Sequence, residues 1–170
     1  PAAVDALRFL SLSGFRESEA LTLKWSAIDF DREAVTLEES KTGRSMRPLG
    51  GAAVAVLREI EREEGSDYVF PGQVPGSHLV ELRKVWNRVR TEAGLTEVRL
   101  HDLRHSVASI AASGGASLPL IGALLGHRDV KSTQRYAHLT DDARKLVADK
   151  TAQEISDALG GRSTRILALR

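Results

Sequence analysis

HDLRHSVASIAASGGASLPLIGALLGHRDVKSTQRYAH, residues 101–138, reads as three helices, 102–113, 117–125 and 131–139, with Gly114-Gly115 and Gly126 in stop positions between them. Chemistry-bearing side chains stand at the edges of these helices. His101 and Arg104 are three apart at a helix start, so both heads can reach one anion beside the helix N-terminus. His127 follows Gly126, and Tyr136 comes nine residues later on a short polar segment. Each feature alone has a plainer reading: an ion-paired surface arginine, a hydrogen-bonded histidine, a tyrosine packed with its hydroxyl in water.

Working outward, residues 141–159 form a further helix with a stripe of Val147, Thr151, Ile155 and Leu159. On the other side, Leu79, Leu82, Trp86, Val89 and Ala93 repeat with helical spacing and stop at Gly94. A helix over 52–64, with Ala53, Val56, Leu57 and Ile60 inward, closes at Gly65, and 68–70 is extended. Three short strands are predicted around 26–30, 35–39 and 45–49, with turns at Asp31-Arg32-Glu33 and Lys41-Thr42-Gly43-Arg44. The chain begins with a helix presenting Val4, Leu7, Leu10 and Ser11, ended by Ser13-Gly14, and a short helical stretch containing Glu19, Ala20 and Leu21 runs to Trp25. The fold class is therefore mainly α with a small three-stranded antiparallel sheet, one α+β domain over 1–170.

Composition narrows the chemistry. With 170 residues and 42% hydrophobic content the chain can bury a core, and 28% charged residues is the make-up of a globular protein. Zero cysteines exclude disulfides and thiolate zinc sites, and the five histidines lack HExxH-like spacing, so no metal and no cofactor are predicted. No apolar run approaches the roughly 18 to 20 residues of a membrane span, and the N-terminus has no signal-peptide pattern, which predicts a cytoplasmic setting with no membrane. The net charge of +1 hides two basic stretches without acids: Lys41, Arg44 and Arg47, then Arg83, Lys84, Arg88 and Arg90.

Near the start, Gly14-Phe15-Arg16-Glu17-Ser18-Glu19 puts Arg16 at a helix start with Glu19 three residues on, close enough to orient its guanidinium. Taken with Lys41-Thr42-Gly43 in a turn between strands, His101 to His105, Leu125-Gly126-His127 and Tyr136, this ordered set resembles the tyrosine recombinase, or phage integrase, family. The resemblance runs from about residue 3 to 159 and implies that family's catalytic fold, shared with type IB topoisomerases. It also implies a function: site-specific cleavage and rejoining of double-stranded DNA through a 3′-phosphotyrosine, without metal or ATP. In such enzymes Tyr136 would be the nucleophile, Arg16 and Arg104 would brace the phosphate with permanently charged forks, and His101 would take the phenol proton. Lys41 would protonate the leaving 5′ oxygen, and His127 would bond the phosphate or position Tyr136. Glu19 and His105 fall to supporting roles, and Arg44, Arg83, Lys84, Arg88 and Arg90 to DNA-phosphate contacts. Arg47 stands before Pro48, where relatives more often carry an apolar residue.

The resemblance further implies an N-terminal DNA-clamping domain that this chain has no room for, consistent with its opening on Pro1 as part of a longer protein. The isolated domain is predicted to be a monomer, the intact enzyme a homotetramer on paired sites, with residues 141–170 docking on a neighbouring protomer. Two rivals remain. One is a non-enzymatic helix-turn-helix reader over 117–139, which leaves Arg16, Lys41 and His101 to Arg104 unexplained; the other is a topoisomerase-like enzyme that relaxes DNA without exchanging strands.

Overall fold

The computed structural model describes residues 2–39, 43–127, 129 and 131–159, and their side chains except at 38, 39, 43, 44, 140–143 and 146. Helix α1 (Ala2–Ser13) buries Ala6, Leu7, Phe9, Leu10 and Ser13. The predicted stripe was thus one position out of phase at its edges: Val4 and Ser11 face outward, and the aromatic anchor is Phe9. After α2 (Glu17–Leu21), a 3₁₀ turn at Trp25–Ala27 replaces the first half of the first predicted strand, leaving β1 as Ile28–Asp29 only. Strands β2 (Ala34–Glu39) and β3 (Gly43–Pro48) complete an antiparallel sheet of order β1-β2-β3. Its register pairs Ile28 with Val35 and Val35 with Arg47.

Helix α3 (Gly51–Glu59) stops short of the predicted 64, because Ile60 turns extended at φ −77°, ψ 119°. Arg62 then lies over the Trp25 ring, 4.6 Å from its centroid, rather than on a helix face. Helix α4 (Arg83–Glu92) also starts later than predicted. Leu79 belongs to an extended segment, its N–H donating to the carbonyl of Phe70 at 2.8 Å. An apolar residue at that spacing fits either state, and the backbone partner decides.

Helices α5 (Asp102–Ser113) and α6 (Leu118–Leu125) fall where the sequence puts them, α6 with Ser117 accepting from the N–H of Leu120 as its N-cap. The helix predicted over 131–139 is broken into α7 (Lys131–Gln134) and a 3₁₀ turn (Ala137–Leu139). Tyr136 N–H bonds the carbonyl of Thr133, and Leu139 N–H that of Tyr136, the tighter i to i−3 pattern. Helix α8 (Thr140–Leu159) follows, with Val147, Ile155 and Leu159 exposed.

Two apolar clusters result. The larger joins α1, α2, the sheet, α3, α4 and the segment around Val69-Phe70, with Phe9, Phe15, Phe70, Leu57, Leu82 and Trp86 in its interior. The smaller joins α5, α6 and the turn after α7 through Ala108, Ala112, Ile121, Leu125 and Tyr136. Among the described residues, no helix is long and apolar enough to cross a membrane.

Candidate active site

The site is built where helix ends from the two clusters meet. Helix α1 ends on Gly14 at φ +65°, and a Cβ there would stand 2.9 Å from Leu125 Cδ2, so both backbone angle and space require glycine. Phe15 is buried, and Arg16 then starts α2 in extended backbone. Glu19 holds it twice: Oε2 accepts from Arg16 N–H at 2.8 Å and Oε1 from Arg16 Nη1 at 2.6 Å. Glu19 thus contacts both the backbone and the guanidinium of Arg16 from three residues on.

Arg104, in the first turn of α5, is buried and forks onto two helix ends. Nη1 donates to the carbonyl of Gly14 at 2.7 Å, and Nη2 to that of Leu125 at 2.8 Å. Carbonyls at helix C-termini carry partial negative charge, so α1 and α6 together form a seat for a guanidinium. Arg16 Nη2 reaches the next carbonyl, Gly126, at 3.5 Å. Two arginines 88 positions apart in the chain thus converge on one turn. Burial and the nearby Arg16 push Arg104 down to about 10, which leaves it cationic at neutral pH.

His101 precedes α5 and is exposed; next to it Asp102 accepts from the backbone N–H of Arg99 at 2.8 Å and from its guanidinium at 3.2 and 2.9 Å, which fixes the helix start. The rings of His101 and His105 meet edge to face, centroids 4.9 Å apart. His105 Nδ1 shares a 2.6 Å hydrogen bond with the Tyr136 hydroxyl. The sequence assigned the phenol's proton to His101 and gave His105 a supporting place; the ring in contact with the phenol is His105. His127 Nδ1 bonds Thr133 Oγ1 at 2.9 Å, which leaves Nε2 as its nitrogen for another partner.

Electrostatics follow from burial and crowded cations. His127 is pushed down to about 4 by burial, then by Arg104 and Arg16. Burial and Arg104 lower His101, and burial and His101 lower His105, so all three imidazoles are neutral at pH 7. Burial raises Tyr136 against the opposing pull of Arg135 and Arg104, which keeps the phenol protonated. Burial alone would raise Glu19; hydrogen bonds from Arg47 and Arg16 outweigh it and hold the carboxyl low.

Of the other predicted residues, Lys41 and the side chain of Arg44 lie outside the described residues. Arg83, Lys84, Arg88 and Arg90 all sit on α4. Arg83 and Lys84 are exposed, Arg88 stands 4.0 Å from Glu92, and Arg90 donates to the carbonyl of Val98 at 3.3 Å. Two residues of the site were given no role by the sequence. Arg47 is buried beside Glu19 and Leu125, and its signal was a charge before Pro48 where relatives more often carry an apolar residue. Buried Thr133 gave no signal. Among the described residues, no group of histidines and carboxylates could hold a metal.

The Phage integrase family matches residues 3–143, and the chain belongs to that family. Among curated relatives, Tyrosine recombinase XerC of Xanthomonas axonopodis pv. citri (strain 306) is 35% identical over 133 residues, covering 75% of this chain and 43% of the relative. Tyrosine recombinase XerC of Erythrobacter litoralis (strain HTCC2594) is 33% identical over 155 residues, covering 87% and 50%. The chain thus spans half or less of the length of these relatives. In structure it is similar to the XerH site-specific recombinase bound to difH substrate in a pre-cleavage complex, with a TM-score of 0.68 and 22% identity over 85% of this chain and 44% of that one. The catalytic domain of bacteriophage HP1 integrase has a TM-score of 0.62 and 19% identity over 94% of this chain and 84% of that one. At these identities the shared property is the fold: a mostly helical recombinase catalytic domain with one small antiparallel sheet.

Proposed function

We propose that this chain is the catalytic domain of a site-specific recombinase that cuts and rejoins double-stranded DNA through a covalent bond between Tyr136 and a 3′ phosphate. The observation that carries this reading is the convergence of Arg16 and Arg104 on the Leu125–Gly126 turn, with the Tyr136 hydroxyl held against the helix that bears Arg104. The Tyr136 oxygen attacks phosphorus, the bond from phosphorus to the 5′ oxygen breaks, and the phenol proton leaves to the His101–His105 pair, both neutral and able to accept it. Lys41 protonates the departing 5′ oxygen. Arg16 and Arg104 offset the charge that builds on the nonbridging oxygens, and His127 bonds one of them through Nε2. One phosphoester is exchanged for another, so the reverse attack reseals the strand without ATP, and the cations do the work for which other phosphoryl-transfer enzymes use metal ions.

The wider assembly is part of the same reading. A preceding domain would complete the grip on DNA, Arg44, Arg83, Lys84, Arg88 and Arg90 would touch phosphates, and the exposed Val147, Ile155 and Leu159 face of α8 would dock on a neighbour in a homotetramer. The setting is the cytoplasm. The helix-turn-helix rival loses support from α7, whose four residues are too short to lie along a major groove as a recognition helix.

The test is covalent trapping: the purified chain is incubated with nicked duplexes from a randomised pool and denatured. A denaturant-resistant adduct that disappears with Tyr136→Phe supports the reading, and sequencing it yields the target. An adduct that persists in the variant places the nucleophile elsewhere, and tight duplex binding with no adduct favours a non-enzymatic reader. Relaxation of supercoils with no recombinant product would assign the chemistry to a topoisomerase.

A further inference from the structure

Strand β3 alternates in the ordinary way, with Met46 outward, Arg47 inward, Pro48 outward and Leu49 inward. The inward position opposite Val35 calls for an apolar residue, yet it holds a guanidinium that is 1% exposed, the bulkiest of the fully buried side chains. A buried cation is costly unless its partners are fixed, and an apolar residue of similar size would fill the space more cheaply. Its contacts indicate what it is there to hold.

Arg47 Nη2 donates to Glu19 Oε1 at 2.5 Å, the same oxygen that accepts from Arg16. Nη1 donates to the carbonyl of Leu125 at 3.0 Å, the same oxygen that accepts from Arg104. The guanidinium lies over Phe15, 4.7 Å from the ring centroid, and its Nε has no hydrogen-bond partner among the described residues. Gly126, at φ +65°, presses on it so closely that a Cβ there would stand 2.5 Å from Nε. Arg47 therefore grips, from behind, the two acceptors that hold Arg16 and Arg104, and it does so from the strand that follows Lys41 in the chain.

We propose that Arg47 is a positioning residue. It fixes the spacing of Arg16 and Arg104 through Glu19 and the Leu125 carbonyl, and it sets the β2–β3 hairpin in register with them. The inference rests on the strand-transfer reading above. Loss of the fork leaves Arg16 as the one guanidinium hydrogen-bonded to Glu19 among the described residues and frees the Leu125–Gly126 turn to rotate, so both arginines lose a fixed direction while DNA binding, set mainly by phosphate contacts elsewhere, persists.

The test compares the wild-type chain with Arg47→Met, which fills the space without charge, and Arg47→Lys, which keeps charge without the fork. Two quantities are read on each folded protein. One is hydrogen exchange at the Nε–H groups of Arg16 and Arg104, followed by nitrogen-labelled arginine NMR without DNA. The other is the single-turnover rate of adduct formation at saturating nicked duplex, beside the duplex Kd. Arg47→Met is expected to speed exchange at Arg104 and cut the saturated rate about 100-fold with Kd within about threefold, a misplacement effect. Arg47→Lys is expected to recover about tenfold of that loss, because it reaches Glu19 but not Leu125 as well. If Arg47→Met fails to fold, Arg47→Lys carries the test through a slower saturated rate than wild type. Unchanged exchange and unchanged saturated rate in a folded variant overturn the proposal, whatever happens to its Tm. Should the wild-type chain form no adduct, the strand-transfer reading fails, while the exchange measurement still decides whether Arg47 positions the two arginines.

Discussion

The two halves of the molecule are stabilised by different means. The larger cluster has Phe9 against two further phenylalanines, Phe15 at 5.3 Å and Phe70 at 5.9 Å between centroids, and draws on four helices and the sheet. The smaller has two alanines, one isoleucine, one leucine and Tyr136, the residue assigned the chemistry. Burial stabilises in proportion to apolar area, so the first region is scaffold and the second is held by much less. Arg104 and Arg47 lie at the seam, fastened to backbone carbonyls and, for Arg47, also to Glu19 and the Phe15 ring. Arg104 rides on α5 of the smaller cluster but is seated in part on the end of α1, whereas Tyr136 packs within the smaller cluster, so local opening of that cluster would mobilise the tyrosine.

Mutations that empty each cluster test that contrast most severely. Phe9→Ala should cost about 3–5 kcal/mol and lower the whole denaturation curve, because a fully buried ring leaves a cavity that α1 cannot close. Ile121→Ala should cost about 2–4 kcal/mol, but the loss should fall on α5 to α8. Hydrogen exchange would then rise there while the amides of α3 stay protected. Equal loss of protection in both regions would mean one cooperative unit and would remove the basis for a separately mobile tyrosine.

Acid should find the same weak region. The unfolded pKa of His127 is about 6.5 and its folded value about 4, so between these the unfolded chain binds more protons. Stability is therefore complete above about pH 6.5 and is lost as pH falls towards about 4, with His101 and His105 contributing in the same direction. Glu19, held low by its arginines, adds a loss that sets in as pH falls through the ordinary carboxylate range and continues below it. Chemical denaturation across this window should show the slope, and His127→Asn should flatten it. A slope that survives this variant and equivalent changes at His101 and His105 would place the acid sensitivity outside the site.

Much of this arrangement was legible in the sequence because its signals are local. The Gly14 to Glu19 run, His101 to Arg104 and Leu125 to His127 each lie within six residues, and the bounds of α5 and α6 follow from caps and glycine stops. What was hidden depends on pairing across the chain. Arg47 stands out in the sequence as a charge where relatives more often carry an apolar residue, but its role emerges only when the register sets it opposite Val35, with acceptors 28 and 78 positions away. His105 is indistinguishable from a packing residue until α5 meets Tyr136, 31 positions on. The ends of α3 and α4 were misread for a related reason: Glu61 to Glu64 and Leu79 suit a helix by composition, and contacts with Trp25 and Phe70 decide otherwise.

The smallest effect expected is also the one on which the trapping experiment depends. Tyr136→Phe removes one hydroxyl whose partner, His105, is only half-buried and borders an open groove lined by Ser109, Ser113 and Arg135. Water can replace the phenol at His105, so the change should cost about 1 kcal/mol, the worth of a single hydrogen bond, with no charge left buried. The loss should be local: exchange at the Tyr136 and Leu139 amides should quicken about fivefold while α3 is unaffected. A variant this close to wild type in fold makes the absence of an adduct a statement about the nucleophile. A variant that lost several kcal/mol would instead show that the hydroxyl braces the smaller cluster, and the nucleophile would then have to be tested at fixed fold with an analogue that keeps the oxygen and shifts its acidity.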